Sequence, residues 1–497
     1  MVKLFSRRRF LITGLGALGA GSAWADAPEI SLKPRARGSD LLKRFQPEPE
    51  DLIARARLDG DVGYVVLRSV DGAVLEARHP DTGLPPASVA KALTACYALE
   101  TLGPDHRFAT RVMVDGKVEN GRLIGNLVLA GGGDPTLDTD GLAALAKKLK
   151  EAGIFEVTGN FLVWGGALPF SPEIDPEQPA QVGYNPAVSG LNLNFNRVHF
   201  EWRQAGADYT VTMDARSAAH RPDVRVARMS VVARDVPVYT YSDANGRDNW
   251  TVARGALGSG GARWLPVRKP ETYAAEVFQT FARSHGIDLK APVIVSDLPE
   301  GVELARVESA PLAELLEDML KYSTNLTAEI VGMAATAARV GAPESIATSA
   351  RAMNSWMETS LGLGDIALVD HSGLGDRSRV SAQTMAKALH ILRQRLGIKG
   401  LMKGFAMYDE NGKRVEDHPI TVSAKTGTLN FVSGLAGFAD FPDGNEVTFA
   451  IFCADLARRA TLSEAERERP EGGAAWNRRA KSLQQALIER WGIMYSA

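Results

Sequence analysis

Residues 85–93 read PPASVAKAL, and within them Ser88 and Lys91 lie three positions apart where a helix is expected to begin. A helix over about 87–101 places both side chains on one face, because positions i and i+3 are neighbours on a helix surface. A serine hydroxyl is a weak nucleophile until a base removes its proton. A lone S-x-x-K also fits the solvated first turn of an ordinary helix, so its meaning depends on the rest of the chain.

Two distant motifs support the catalytic interpretation. Ser323-Thr324-Asn325 lies between two helices predicted over 311–323 and 325–341, each with apolar residues at helical spacing. Lys425-Thr426-Gly427 lies in a run that is typical of a strand. Penicillin-interacting serine enzymes carry S-x-x-K, S-x-N and K-T-G in this order. The three motifs together therefore predict acyl transfer to Ser88.

The residue types predict a role for each catalytic group. Ser88 is the expected nucleophile and Lys91 its base, which must be neutral to accept a proton. Enclosure and a second cation, Lys425, are expected to lower the pKa of Lys91. Ser323 is expected to pass a proton to the leaving amine. The backbone N–H groups of Ser88 and Thr428 are expected to form the oxyanion hole.

Substrate binding is predicted on the same motifs. Asn325 is expected to orient Lys91 and to bind a substrate carbonyl. Lys425 and Thr426 are expected to bind a terminal carboxylate by charge and hydroxyl. Gly427 leaves room for the substrate to lie along the strand edge as an added strand.

Composition excludes several other classes of function. The chain has 57 basic and 59 acidic residues, so no bulk field favours nucleic acid. Its eight histidines are scattered without the spacing of metal ligands, so neither a metal nor a cofactor is expected. Hydrophobic residues make up 45% and charged residues 23%, which is typical of a soluble globular protein.

Residues 1–25 are predicted to be a signal peptide. A basic start precedes an apolar stretch that is too short for an ordinary membrane span, and Ala23-Trp24-Ala25 fits a cleavage site. Ser6 to Leu11 reads SRRRFL and resembles the twin-arginine export signal. We therefore expect an exported, periplasmic protein; an ordinary secretory signal or a membrane anchor is the alternative. Peripheral association with the membrane or cell wall stays open.

The rest of the chain predicts alternating helical and strand-rich segments. Residues 107–267 are mostly short strand-like runs between turn residues, and helical patterns surround them. The other predicted elements are a tether at 26–47, helices at 49–58, 140–152, 271–287 and 474–491, a hairpin at 63–80, and three antiparallel strands within 420–456.

The chain resembles the D-alanyl-D-alanine carboxypeptidase/endopeptidase family, the class C low-molecular-mass penicillin-binding proteins. Besides the three motifs, the long separation of Ser88 and Ser323 fits this family better than a compact β-lactamase. The other stretches that carry the resemblance are LAGGGDPTL (129–137), YNPAVSGLNLNFNRV (184–198), PLAELLEDMLKYSTNLTAE (311–329) and VDHSGLGDRSRVSA (369–382).

The resemblance implies an α/β (α+β) fold. A transpeptidase/β-lactamase-like domain, with a central antiparallel sheet flanked by helices, is expected from residues 26–112 and 268–497. A mostly β insert of one or two small domains is expected at 113–267.

The resemblance also implies a function. A serine D,D-carboxypeptidase and D,D-endopeptidase would cleave D-Ala-D-Ala and D-Ala-linked crosslinks of peptidoglycan stem peptides through an acyl-enzyme. β-Lactams are then expected to acylate Ser88. The alternatives are a β-lactamase, against which the absence of a recognised E-x-x-L-N motif argues, and a catalytically silent peptidoglycan-binding protein.

The chain departs from the family pattern at three places. Thr324 replaces the usual aspartate, and His371 stands where glycine is usual; we expect its side chain to pack over the cleft rim rather than act as an acid or base. The strand before Gly165 lacks the usual following acid, for which Glu173 or Asp175 is a candidate substitute.

The two cysteines, Cys96 and Cys453, lie in apolar segments. A disulfide and two buried free thiols both remain open.

Overall fold

The computed structural model describes residues 40–409, 411–463 and 466–496. The predicted signal peptide and most of the predicted tether lie outside the described residues. The chain divides into residues 1–45, of which the short helix α1 (Asp40–Arg44) is described, and residues 46–497.

The second unit alternates helices and strands. Its helices are α2 (Pro49–Ala56), α3 (Ala90–Leu102), α4 (Thr139–Glu151), α5 (Pro270–Ser284), α6 (Leu312–Tyr322), α7 (Asn325–Val340), α8 (Ile346–Leu361), α9 (Ala382–Leu396), α10 (Leu456–Ala460) and α11 (Gly473–Met494). Its strands are β1 (Asp61–Arg68), β2 (Val74–Arg78), β3 (Ala109–Glu119), β4 (Arg122–Gly131), β5 (Glu156–Val157), β6 (Phe161–Trp164), β7 (Arg197–Ala205), β8 (Asp208–Asp214), β9 (Ala227–Val232), β10 (Tyr239–Ala244), β11 (Arg247–Ala253), β12 (Gly260–Pro266), β13 (Pro292–Val295), β14 (Val302–Glu308), β15 (Ile366–Ala367), β16 (Arg379–Val380), β17 (Gly404–Phe405), β18 (Thr421–Leu429), β19 (Val432–Asp440) and β20 (Glu446–Ala454).

One antiparallel sheet carries the K-T-G strand, and the apolar residues between this sheet and the helices on its two faces are called here the first core. Its order is β17-β18-β19-β20-β1-β2, so the first strands of the unit pair with the last. Helices α3 and α6 to α9 pack on one face, and α11 packs on the other. Alternation of side chains between the two faces of a strand explains why both faces are buried by apolar residues. The predicted central antiparallel sheet flanked by helices is confirmed, as are the hairpin β1–β2 and the three strands β18 to β20.

A second core lies in the region from 109 to 308, called here the β-rich region. It contains a sheet of order β13-β6-β4-β3-β14 with β5 beside β4, and two three-stranded sheets, β10-β11-β9 and β12-β7-β8. Helices α4 and α5 pack together against the larger sheet.

The chain does not leave the core of the β-rich region at residue 267, where the sequence pattern predicted the boundary. Tyr273 and Phe278 of α5 are buried in the β-rich region's core, and β13 and β14 pair with β6 and β3. The chain returns to the first core near Ser309, where Leu312 is buried against α3. A helical pattern identifies a helix but not the core that it packs into, which is why the predicted boundary was too early.

In the described part of the chain, no helix combines the length and apolar character that crossing a membrane requires.

Candidate active site

Ser88 lies on a short turn that leads into α3. A 3₁₀ turn over Ala87–Val89 precedes α3, and Val89 N–H donates to the carbonyl oxygen of Pro86. The turn packs against β18, because a Cβ on Gly427 would lie 2.6 Å from Pro86 O and 3.0 Å from Ser88 N. Only glycine permits this approach, and it sets Ser88 at the edge of the K-T-G strand.

Lys91 lies one turn after Ser88 and is fully buried, with 0% of its surface exposed. Its Nζ donates to three oxygens: Ser88 Oγ at 2.9 Å, Asn325 Oδ1 at 2.7 Å and the main-chain oxygen of Ser372 at 2.7 Å. A 2.9 Å separation is a normal hydrogen-bond length, so a proton can pass directly between Ser88 and Lys91.

The environment of Lys91 favours its neutral form. Burial and, next, the nearby charge of Lys425 lower the pKa of Lys91 to about 7, while Asp370 and Glu329 act in the opposite direction. At a pKa near the ambient pH, roughly half of the molecules carry a neutral amine able to act as a base. The predicted causes, enclosure and Lys425, are both present.

Ser323 and Asn325 flank the joint between α6 and α7. Ser323 ends α6 in the left-handed conformation, with φ of 60°, and α7 begins at Asn325. The buried stripe of α6 holds this joint against the first core; its members are Leu312, Leu315, Leu316, Met319 and Leu320. Asn325 Nδ2 donates to the main-chain oxygen of Tyr184 at 2.8 Å, which leaves Oδ1 to face Lys91.

Lys425 is buried and faces Ser323. Its Nζ donates to Ser323 Oγ at 3.0 Å and to Thr426 O at 2.9 Å. Burial and, next, the neighbouring cation Lys403 lower the pKa of Lys425 to about 8. A cation held between neutral oxygens keeps its capacity to bind an anion that enters the cleft.

The edge of β18 beyond Ala424 is open. The neighbouring strand β17 pairs with Val422 and Ser423, and Ala424 N donates to the carbonyl oxygen of Lys403, whereas β18 continues to Leu429. Thr426 and Thr428 are exposed on this edge. An extended peptide can therefore add here as a further strand.

A cleft of about 460 Å³ contains the site. The first core contributes Ser88, Ser323, Asn325 and Thr428 to its lining, and the β-rich region contributes Glu177, Gln178 and Tyr184. The structure thus brings together the eight candidate site residues, which are Ser88, Lys91, Ser323, Asn325, Lys425, Thr426, Gly427 and Thr428.

A charged loop that the sequence left without a role forms another wall of the cleft. Glu468 accepts hydrogen bonds from Arg263 at 2.9 Å and from Gln181 at 2.6 Å. Arg467 lies 3.6 Å from the carboxylate of Glu177. These contacts tie the loop to the β-rich region across the cleft. The dense charges in the loop were the only sequence signal.

His371 does not lie at the cleft rim, so that expectation is wrong. Its side chain is fully buried, Nε2 lies 2.7 Å from Ser349 Oγ, and the ring fills the space beside Gly332. Burial lowers the pKa of His371 to about 3, so the ring is neutral. Gly332 on α7 makes this burial possible, and no local sequence pattern indicates that the two residues meet.

The two cysteines are buried free thiols, which settles the open alternative between them. Burial raises the pKa of both thiols, so both stay protonated.

Both candidate substitutes for the missing acid already have protein partners. Asp175 is buried and accepts hydrogen bonds from Glu177 N at 3.1 Å and Gln178 Nε2 at 2.8 Å. Glu173 lies 3.5 Å from Arg268. Their role as substitutes stays a prediction.

A different carboxylate lies beside Gly165. A Cβ on Gly165 would lie 2.5 Å from Oε1 of Glu271, which is the second residue of α5 and accepts a hydrogen bond from Ser189. Glu271 was missed because α5 was assigned to the wrong core.

Within the described ranges, no group of three or more His, Cys, Asp or Glu residues is arranged to hold a metal ion.

Comparison with known proteins gives consistent matches over most of the chain. The model of the D-Ala-D-Ala carboxypeptidase 3 (S13) family matches residues 48–479. The D-alanyl-D-alanine carboxypeptidase DacB of Haemophilus influenzae is 25% identical over 451 residues, which are 84% of this chain and 92% of that protein. The D-alanyl-D-alanine carboxypeptidase of Actinomadura sp. (strain R39) is 27% identical over 479 residues, covering 87% and 83%.

A solved structure has the same fold. The crystal structure of penicillin binding protein 4 (dacB) from Haemophilus influenzae aligns with a TM-score of 0.74 at 22% identity. The alignment covers 89% of this chain and 100% of that one.

Proposed function

The chain belongs to the D-Ala-D-Ala carboxypeptidase 3 (S13) family, and on that premise we propose that Ser88 is its nucleophile and Lys91 the base. The protein is a serine-type D-Ala-D-Ala carboxypeptidase. One observation carries the assignment of the residues: the buried amine of Lys91, with a pKa of about 7, lies 2.9 Å from Ser88 Oγ.

Acylation begins with a proton transfer from Ser88 Oγ to neutral Lys91. The oxygen attacks the carbonyl carbon of the D-Ala-D-Ala peptide bond, and the N–H groups of Ser88 and Thr428 stabilise the resulting oxyanion. When the C–N bond breaks, the proton held by Lys91 goes to the leaving amine. Ser323, which lies between Lys425 and the cleft, is suited to relay that proton.

Hydrolysis of the acyl-enzyme follows the reverse route. Water attacks the ester carbon, gives a proton to the freed Lys91, and the Ser88–carbon bond breaks as Ser88 regains its proton. Since the same base serves both steps, loss of Lys91 stops both.

The terminal carboxylate of the substrate is bound at the Lys425 end of β18. Lys425 supplies the charge and Thr426 and Thr428 supply exposed hydroxyl groups. β-Lactams carry a carboxylate next to a strained amide, so the same groups orient them for attack by Ser88. The name of the solved relative, a penicillin binding protein, supports this.

Cleavage of D-Ala-linked crosslinks is the second proposed activity. The open edge of β18 and the 460 Å³ cleft support it, because a crosslinked stem peptide needs a longer binding groove than a single terminal residue. The loop at Arg467 and Glu468 bounds the cleft on the side toward the β-rich region.

Export is implied by a substrate that lies in the cell wall. The SRRRFL motif at 6–11 and the Ala-Trp-Ala sequence at 23–25 support the twin-arginine route and a periplasmic location. Replacing Arg7 and Arg8 by lysine in the full chain should trap the protein in the cytoplasm if this route is used.

Product analysis tests the activities directly. Purified muropeptide monomers and dimers are incubated with the mature chain, and the products are identified by mass. Release of D-alanine from pentapeptide monomers supports the carboxypeptidase, and conversion of dimers to monomers supports the endopeptidase. Absence of both with folded protein contradicts the proposal.

A further inference from the structure

The direction in which Lys91 points its lone pair depends on two fixed acceptors. A neutral amine has two hydrogens and one lone pair, whereas Nζ of Lys91 has three oxygen neighbours. When the two hydrogens go to Asn325 Oδ1 and Ser372 O, the lone pair is left for Ser88. The placement of these two acceptors therefore decides whether Lys91 can take the serine proton.

The backbone that leads to the Ser372 carbonyl is held by the buried side chain of Glu329. Glu329 Oε2 accepts from His371 N at 3.0 Å, and Glu329 Oε1 accepts from Ser372 N at 2.9 Å. Glu329 is fully buried. These two hydrogen bonds fix the peptide planes 370–371 and 371–372, and so the backbone of Ser372 up to its own carbonyl group. Burial, followed by the neighbouring Asp370, raises the pKa of Glu329 to about 8.

A second side chain, that of Asp370, holds the peptide plane that contains the Ser372 carbonyl, because Gly373 N belongs to that plane. Asp370 accepts from Gly373 N at 2.7 Å and from Gly375 N at 2.5 Å. The segment from 370 to 375 also contains Gly373 in the left-handed region, with φ of 73°. Four backbone amides of this segment are thus bound by two buried carboxylates.

One helix sets both acceptors of Lys91. Asn325 and Glu329 lie four residues apart on α7, so their side chains share one face. Asn325 reaches Lys91 directly, and Glu329 reaches it through Ser372. Residues 326–333 of α7 are buried, which keeps this face in place.

We propose that Glu329 is a positioning residue for the proton transfer, which aims the lone pair of Lys91 at Ser88 by holding, together with Asp370, the backbone that presents the Ser372 carbonyl. Glu329 contacts neither substrate nor the reacting atoms. The inference rests on the proposed function, since it assumes that Lys91 is the base.

Three charged groups face Lys91, so replacing Glu329 also changes the electrostatic environment of the Lys91 amine. They are Lys425 on β18, Asp370 on the 370–375 segment and Glu329 on α7. The two carboxylates favour the ammonium form of Lys91, so removing one lowers the pKa of Lys91. If the 370–375 segment collapsed and let water reach Lys91, the pKa of Lys91 would rise instead, because burial is the largest cause of its lowering.

The test compares Glu329→Gln with Ser349→Ala in the mature chain. Glutamine has the size of glutamate but offers an N–H to one of the two amides in place of an acceptor. Ser349→Ala removes the partner of the buried His371 ring in the same segment and leaves its amides untouched. Acylation by a fluorescent penicillin is measured from about pH 5 to 9, with thermal unfolding of each variant.

We expect Glu329→Gln to lower the plateau of the acylation rate by about 100-fold, the effect of a displacement of about 1 Å in a reacting pair. The fall in its acylation rate toward acid pH, called here the acid limb, should move to lower pH. Ser349→Ala should lose melting temperature but keep the wild-type rate and acid limb. Asp370→Asn, which loosens the same segment independently, should also lower the plateau.

Three results overturn the inference: a wild-type plateau in Glu329→Gln, an acid limb of Glu329→Gln that moves to higher pH, or an equal loss of rate in Ser349→Ala. Wild-type acylation at Ser88 separates these results from a failure of the proposed function. If the wild type is not acylated, the proposed function itself fails and the inference falls with it.

Discussion

Asn325 donates from Nδ2 to the main-chain oxygen of Tyr184 at 2.8 Å, and this bond links the helix that carries the S-x-N motif to the β-rich region. The other end of the same amide, Oδ1, accepts from Lys91 at 2.7 Å. Because the amide has one donor end and one acceptor end, the carbonyl of Tyr184 decides which end faces Lys91. The β-rich region therefore takes part in arranging the base.

Asn325→Asp should slow acylation and move its acid limb to higher pH. A carboxylate beside Lys91 stabilises the ammonium form and raises the pKa of Lys91, and it faces the carbonyl of Tyr184 with a second acceptor. The measurement is the acylation rate by a labelled penicillin against pH. Asn354→Asp is the matched control, because Asn354 also pairs with a backbone carbonyl, that of Leu368, at 2.9 Å. An unchanged acid limb in Asn325→Asp would contradict the account.

The acylation rate should have a bell-shaped dependence on pH. Lys91 acts when neutral, so the rate falls as pH drops through about 7; Lys425 acts when charged, so the rate falls as pH rises through about 8. Lys425→Gln removes a cation that lowers the pKa of Lys91, so the acid limb should move up while the base limb disappears.

Lys403→Gln is the control for Lys425→Gln. Lys403 contributes to the lowered pKa of Lys425, so its replacement should move only the base limb, to higher pH. An acid limb that is the same in wild type and Lys425→Gln would show that Lys425 does not act on Lys91.

Gly427→Ala should reduce both stability and acylation. Its Cβ would lie 2.6 Å from the backbone oxygen of Pro86 and 3.0 Å from Ser88 N, so the serine turn must move. Overpacking of this kind costs about 1–3 kcal/mol in the free energy of unfolding. Gly400→Ala is the control, since a Cβ there meets nothing within 4 Å. Equal unfolding midpoints and acylation rates for the two variants would contradict the packing argument.

Gly332 and His371 should behave as a coupled pair. A Cβ on Gly332 would lie 2.2 Å from Cγ of His371, so Gly332→Ala alone is expected to destabilise the protein by about 1–3 kcal/mol. The double variant Gly332→Ala/His371→Gly removes the clash and should lose less than the two single variants added together. A double-mutant cycle by chemical denaturation measures the coupling, and strict additivity would exclude it.

The elements that carry the motifs were predictable because their signals are local. The serine turn, the joint at Ser323 and the K-T-G strand all follow from apolar spacing and turn residues within about 20 positions. The fold class followed from the order of the motifs and the family resemblance.

The remaining features depend on contacts between distant segments. The assignment of α5 to the second core, the burial of His371 beside Gly332 and the clamp of Glu329 on the 370–375 segment each join residues that are far apart in the chain. A side chain's partner across such a distance is set by packing, which periodicity does not encode.

The central claim is that Ser88 forms the acyl-enzyme, and peptide mapping after reaction with a penicillin tests it most directly. The mature wild-type chain and Ser88→Ala are incubated with the antibiotic, digested and analysed by mass spectrometry. One adduct is expected on the peptide that contains Ser88, and none in Ser88→Ala. An adduct on another residue, or equal labelling of Ser88→Ala, would contradict it.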